Sequence, residues 1–296
     1  MLYFLILFLT TCGVQLVLGS NWSYGDSDSW PGVCQTGSAQ SPIDLIPSKT
    51  TDRVYSAFIF ENYDKAYQGR VKNNGHSIAI TLLNGTDGAP IITGGGLNDK
   101  YILDHIHFHW ESEHTVNGES FPLEMHLVHY STKYSSLTEA AESQGIAVLG
   151  VFFEISLDDD DDFIPLVEVM DRVEKNPSQE VALERMISPK SFLPRHTSDY
   201  FRYQGSLTTP GCNEGVTWTL FRKPLPISAD QYTHFESIWS EEGPLTLNFR
   251  KVQPLNGRTV TLRQSPVRSY NGKGFVVQSN VVLTILTTLF AFKSFY

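Results

Sequence analysis

Six of the nine histidines fall between positions 105 and 129. His105, His107 and His109 alternate with Ile106, Phe108 and Trp110, so in a strand the three imidazoles share one face. A second run places Glu124, His126 and Val128 on one face, opposite Met125 and Leu127. The stretch between them, Glu111 to Ser120, contains Asn117-Gly118, a turn pair able to return the chain antiparallel. Two imidazoles from one strand and one from its neighbour then converge on a single point. Three imidazoles at three corners of a tetrahedron, with water at the fourth, make a catalytic zinc site rather than a structural one. No cysteine pair lies nearby to close the shell. Spacing alone does not choose His107 and His109 over His105, and a lone strand histidine is more often a hydrogen-bonded core residue than a ligand.

Such a site needs rigid strands beneath it. Short apolar or alternating runs recur at His76 to Leu83, Ile102 to Trp110, Glu124 to Tyr130, Ala147 to Ile155 and Val216 to Phe221, punctuated by Gly, Asn and Pro. Helical signals are fewer. Asp162 is placed to cap a segment with Phe163, Leu166, Val167, Met170 and Val173 at helical spacing. Ser228 and Gln231 form a capping box before Tyr232, Phe235 and Trp239. The expected class is α+β, β-dominated: one domain built on a large, twisted, mostly antiparallel central sheet with peripheral helices.

The chain has 296 residues and a formal net charge of -10. An acidic chain with no Lys/Arg block offers no electrostatic support for nucleic-acid binding. The run Asp158 to Asp162 lacks the Gly turn and terminal Glu of a calcium loop and reads as a solvated loop. Met1 to Leu18 is almost entirely apolar and Val17-x-Gly19 supplies small residues, as in a secretory signal covering residues 1–19. Its n-region carries no Lys or Arg, which leaves an uncleaved signal anchor as the competing reading. Cys12 lies inside that segment, so an exported mature chain keeps Cys34 and Cys212, and an even pair there favours a disulfide over two free thiols. The sequons at Asn21 and Asn84 agree with export. Val281 to Phe292 is a greasy tail too short to cross a bilayer comfortably, preceded by small residues around Ser269, Asn271 and Gly272. Residues 269–296 therefore read as a GPI-type signal, with a short membrane stub from about Phe275 and an ordinary hydrophobic C-terminus as rivals. The domain proper is expected at residues 20–268, placed on the extracellular face of the cell membrane or secreted.

At His107-Phe108-His109-Trp110, Ser112-Glu113-His114-Thr115-Val116 and Glu124-Met125-His126-Leu127-Val128-His129 the sequence resembles the α-class carbonic anhydrases. The likeness extends, in the family's order, through Gln40-Ser41-Pro42-Ile43, Asn73-Asn74-Gly75-His76, Gly205-Ser206-Leu207-Thr208-Thr209-Pro210, Val216-x-Trp218 and Asn248-Phe249-Arg250 to Gln253-Pro254-Leu255-Asn256. It implies a conical pocket ending at Zn2+, with His107, His109 and His126 as ligands. It implies reversible hydration of CO2 to bicarbonate and a proton by attack of zinc-bound hydroxide, with CO2, bicarbonate and water as the small-molecule substrates. A three-imidazole shell and a bound water of pKa roughly 7 are already the type description of this family. The resemblance further implies that Thr208 and Glu113 orient the nucleophile, that Glu124 supports His126, and that Asn248 supports the ligand shell. His76 is implied as the proton shuttle. Val128, Val148, Leu207, Val216 and Trp218 are implied as the apolar wall beside Thr209. Tyr24 and Asn74 are implied to order pocket water, and Cys34 and Cys212 to pair.

Three positions depart from the family pattern. His105 stands where a Gln is usual, Ala79 replaces a position often polar, and Gly211 follows Pro210 where Pro is common. An imidazole at position 105 can hydrogen-bond or compete for metal. A non-catalytic binding module is disfavoured because all three ligands, Glu113 and Thr208 remain. A hydrolase reading finds no H-E-x-x-H and no G-x-S-x-G, and P-loop and dinucleotide fingerprints are absent from the sequence.

Overall fold

Alternation along the two histidine-bearing segments produces two long strands, Tyr101–His109 and Leu123–Ser131, which a computed structural model places antiparallel with His107 directly opposite His126. The structure describes residues 22–84 and 88–264. The two strands lie in the middle of a 12-stranded sheet. On one side follow Ile78–Leu83, Gln68–Asn73 and Glu180–Ala182. On the other lie Ile146–Ser156, Glu214–Ser228, Tyr200–Ser206, Thr261–Arg263 and Thr51–Asp52. Phe58–Glu61 and Ile91–Gly94 branch from the Tyr101–His109 strand. Pairing is mostly antiparallel; Ile146–Ser156 and Glu214–Ser228 run parallel, as does the short edge pair at Thr261 and Thr51.

Strand alternation divides the interior. Ile106, Phe108, Met125, Leu127 and Leu149 enter one apolar cluster with Phe163, Leu166 and Phe235. Helices Ile164–Met170 and Ala229–Glu236 cover that face; the Phe108 ring centroid lies 5.1 Å from Phe235 and 6.0 Å from Phe163. Phe108 is fully buried, which by area stabilises the fold by roughly 1.5–3 kcal/mol. The opposite face carries Val128, Val148, Val216 and Trp218 in a second cluster, and the histidines rise from this face.

Ser228 caps its helix as the sequence implies, its Oγ accepting from Gln231 N–H at 3.1 Å while Gln231 Oε1 reaches back to Ser228 N–H. Asp162 is not the cap of the earlier helix. Phe163 occupies that position without a side-chain cap, with Pro165 in the first turn. Val173 and Trp239 lie beyond their helices. The Asp158 to Asp162 run is largely exposed, yet Asp160 N–H donates to Gln231 Oε1 and Asp159 Oδ1 accepts from Ser228 Oγ, which docks the loop on the helix start. Among the described residues no helix is long and apolar enough to cross a membrane. The segments read as signal and anchor, and the sequon at Asn21, lie outside the described residues.

Candidate metal centre and its pocket

His107, His109 and His126 each offer one ring nitrogen to a common point, these atoms all lying within 4.8 Å of one another. Each imidazole is turned by a different partner. His109 Nδ1–H donates to the Asn248 carbonyl at 2.7 Å, leaving Nε2 buried with no hydrogen-bond partner. His126 Nε2–H donates to Glu124 Oε1 at 2.7 Å, leaving Nδ1 facing His107 Nε2 at 3.2 Å. His107 Nδ1 meets His105 Nε2 at 3.0 Å. Three lone pairs thus converge on one buried point, and an orphaned nitrogen in such a place fits a metal. Burial and mutual repulsion push His107 well below its ordinary pKa, lower His126, and bring His109 to about 3. All three are neutral donors at neutral pH, the form a metal requires.

Glu124 gathers three donors: His126, His114 Nδ1–H at 2.7 Å and the His114 backbone N–H at 2.8 Å. Burial opposes its charge, but His114 and His126 hold the carboxyl well below its usual range. His114 Nε2 accepts from the Tyr203 hydroxyl at 2.7 Å, and Tyr203 meets Ser41 Oγ at 2.7 Å. Tyr203 and Ser41 were not singled out from the sequence as support for a ligand; they reach His126 only through strands distant in the chain.

Glu113 is wholly buried, 3.5 Å from His109 Nε2, its Oε1 accepting from the Arg250 backbone N–H at 2.9 Å while Oε2 lies buried with no hydrogen-bond partner. Burial raises its carboxyl well above the ordinary range, against the nearby Thr208 hydroxyl and the Arg250 N–H, which favour the anion. Arg250 anchors the surrounding loops through Gln40 Oε1, the Ser41 carbonyl and the Cys34 carbonyl. Asn248 is fully buried and accepts from Trp110 N–H while donating to the Phe108 and His76 carbonyls.

The apolar wall is assembled by register. Val148 pairs with Val128 on one side and Trp218 on the other, Val216 pairs with Gly205, and the Trp218 ring lies 4.8 Å from the His126 ring. Leu207 packs on the same cluster half-buried, and Thr209 follows Thr208 at intermediate exposure. His76 is half-buried and stacks on Trp22 with centroids 3.7 Å apart. Burial lowers its pKa. Trp22 carried no motif and was missed. A cavity of about 800 Å³ is lined by Trp22, Tyr24, Asn74, His76, Glu241 and Leu247, and the three imidazoles do not line it. Tyr24 meets His109 edge-on at 6.2 Å, and Asn74 Oδ1 accepts from the His76 and Ser77 N–H groups.

His105 is outside the converging group: its Nδ1 meets Asp104 Oδ2 at 2.7 Å and its Nε2 is turned to His107. Ala79 pairs in register with His107. Gly211 has φ 102°, a conformation closed to Pro, which is fixed near −65°. Cys34 and Cys212 form a disulfide. Asn84 is partly exposed directly after the strand Ile78–Leu83. His129 bonds Tyr63 in the core and takes no part in the centre.

The sequence profile of eukaryotic-type carbonic anhydrases matches residues 20–264. Carbonic anhydrase 4 of Rattus norvegicus is 37% identical over 249 residues, covering 79% of this chain and 78% of the relative. Carbonic anhydrase 7 of Homo sapiens is 38% identical over 262 residues, covering 81% of this chain and 96% of the relative. Putative carbonic anhydrase 3 of Caenorhabditis elegans is 35% identical over 257 residues, with coverage of 81% and 96%. With that profile spanning the whole described fold and its histidine centre, the chain belongs to the eukaryotic-type carbonic anhydrase family.

Proposed function

We propose that this protein hydrates CO2 reversibly to bicarbonate and a proton at a zinc ion held by His107, His109 and His126. The carrying observation is the convergence of three neutral imidazole nitrogens, each tautomer fixed from behind by Asn248, Glu124 or His105. Zinc held by three imidazoles supplies a Lewis acid that makes water nucleophilic at neutral pH.

The protein's own residues supply direction. In its ionised form, which the Thr208 hydroxyl and the Arg250 N–H favour against burial, Glu113 only accepts, so the Thr208 hydroxyl donates a hydrogen bond to it. The Thr208 oxygen then has only acceptor capacity to offer the pocket, and it accepts the hydrogen of the attacking oxygen. That leaves the oxygen's lone pair aimed at the carbon. CO2 is apolar and rests against Val128, Val148, Leu207, Val216 and Trp218, with Thr209 at the edge. His76, whose imidazole is neutral and able to accept a proton at neutral pH because burial lowers its pKa, passes the released proton to solvent.

Thr208→Val keeps the shape and deletes the hydroxyl. CO2 hydration by stopped flow should fall about a hundredfold in kcat/KM, the cost of one oriented hydrogen bond at a reacting centre, with zinc content unchanged. A variant as fast as wild type would refute the orienting role.

Export completes the proposal. Residues 1–19 act as a signal, residues 20–268 form the domain, and residues 269–296 are exchanged for a lipid that holds it on the outer face of the membrane. Asn21 and Asn84 carry glycans. The disulfide supports this placement, because such bonds persist in oxidising compartments.

A further inference from the structure

We propose that Asp104 is an outer positioning residue for the metal ligand His107, acting through His105. The inference rests on the zinc reading above and adds to it a residue that the family pattern does not supply.

The register of the two central strands slips at this place. Leu103 pairs with His129 and His105 with Val128, so Asp104 is the extra residue of a β-bulge. Bulges next to active sites re-aim side chains. Here the bulge puts Asp104 Oδ2 at 2.7 Å from His105 Nδ1, although neighbours on a regular strand point to opposite faces. His105 Nε2 in turn lies 3.0 Å from His107 Nδ1, the two rings nearly parallel with centroids 5.1 Å apart.

Donor and acceptor roles follow from one fact, that a carboxylate only accepts. His105 must then carry its proton on Nδ1. Its Nε2 is left as an acceptor, which takes the Nδ1–H of His107. The His107 proton is held away from the centre and its Nε2 lone pair faces the other two ligands. A Gln at position 105 would need no such help, since its amide oxygen accepts by rotation. An imidazole has two tautomers, and only one serves. In the other, the His105 Nε2–H would point at His107 and favour the tautomer that cannot bind metal through Nε2. Ala79, the register partner of His107, offers no polar atom to correct this. The other two ligands depend on fully buried partners, a carbonyl of Asn248 and the carboxylate of Glu124, whereas the Asp104 and His105 side chains retain 35% and 25% exposure. Metal retention at this centre is therefore tied to a surface carboxylate.

The test compares wild type, Asp104→Ala, His105→Gln and the double variant. Zinc affinity is measured by competition with a chelator, and ring-nitrogen NMR of the metal-free proteins reads the tautomers. Asp104→Ala should weaken zinc binding by up to about tenfold, the low end of what direct partners of metal ligands contribute, because Asp104 acts through His105. The same substitution should have no effect in the His105→Gln background, where position 105 no longer needs a fixed tautomer. Wild type should show Nδ1–H at both His105 and His107. Unchanged affinity in Asp104→Ala, an equal loss in both backgrounds, or Nε2–H at His105 in wild type would each overturn the proposal. Wild type that binds no zinc would instead contradict the zinc reading, and the tautomers would still decide whether Asp104 orients His107.

Discussion

His76 shows how much of a residue's role its own chemistry decides. Partial burial, with Trp22 stacked over the ring, lowers its pKa below 6.5, so its neutral, proton-accepting form persists below that pH. His76→Ala should therefore slow CO2 hydration roughly a hundredfold in dilute buffer, the low end of what a positioned proton-transfer group contributes, and added imidazole should restore it. The His76-dependent part of the rate should rise with pH through a midpoint below 6.5 and be complete at neutrality. Equal rates for variant and wild type at every buffer concentration would remove His76 from the pathway. At this scale the shared face of His105, His107 and His109 was legible, because a period of two is a local property of a strand, but choosing His107 and His109 over His105 rested on the family resemblance. Asp104 was not: a bulge adds a residue without marking it in the sequence. Trp22 and Tyr203 were equally silent, and Ser41 appeared only as a motif residue, since the partners that give them their roles are distant in the chain.

Among the elements, the strand Tyr200–Ser206 and the turn after it carry the Thr208 hydroxyl, and Gly205 sets their approach to the sheet. A Cβ on Gly205 would lie 2.1 Å from Ser41 Oγ, 2.7 Å from the Tyr203 ring and 2.9 Å from the Trp218 ring. Ser41 and Tyr203 are links in the chain through His114 to Glu124 and His126, and neither has free space. Gly205→Ala should lower unfolding stability by about 1–3 kcal/mol, the usual cost of overpacking, read as a reduced denaturation midpoint. A wild-type midpoint would mean the neighbours yield and Gly205 is not a packing constraint. Five strands and the Ser228 capping box could be read from alternation and cap chemistry. The strand Gln68–Asn73 escaped because its buried side is Gly69, Val71 and Asn73, which is weakly apolar. Glu214–Ser228 runs well past the expected Phe221, since Lys223, Pro224 and Pro226 disguise its continuation. Its parallel pairing with Ile146–Ser156 joins segments far apart in sequence and leaves no local trace.

Across the whole molecule, the disulfide between Cys34 and Cys212 spans 178 residues and ties the amino-terminal segment to the loop just beyond Thr208. Tyr24, Trp30 and both cysteines pack there as a separate small cluster with Trp22 and Leu247 beside it, so the pocket lip is fastened independently of the sheet. The chain-entropy account gives a loop of this length a stabilisation on the order of 5 kcal/mol. The full-length chain expressed in animal cells should appear on the surface, shift in mass on removal of N-glycans, and be released by a phosphatidylinositol-specific phospholipase. Retention after that treatment would favour a membrane stub over a lipid. The central claim is that three histidines hold one zinc that hydrates CO2, and metal content with stopped-flow hydration tests it most directly, on residues 20–264 beside a His126→Ala twin. The account predicts about one zinc per chain and fast hydration in the first protein, with both lost in the second. A folded wild-type domain that holds no zinc, or a twin that hydrates CO2 equally fast, would contradict it.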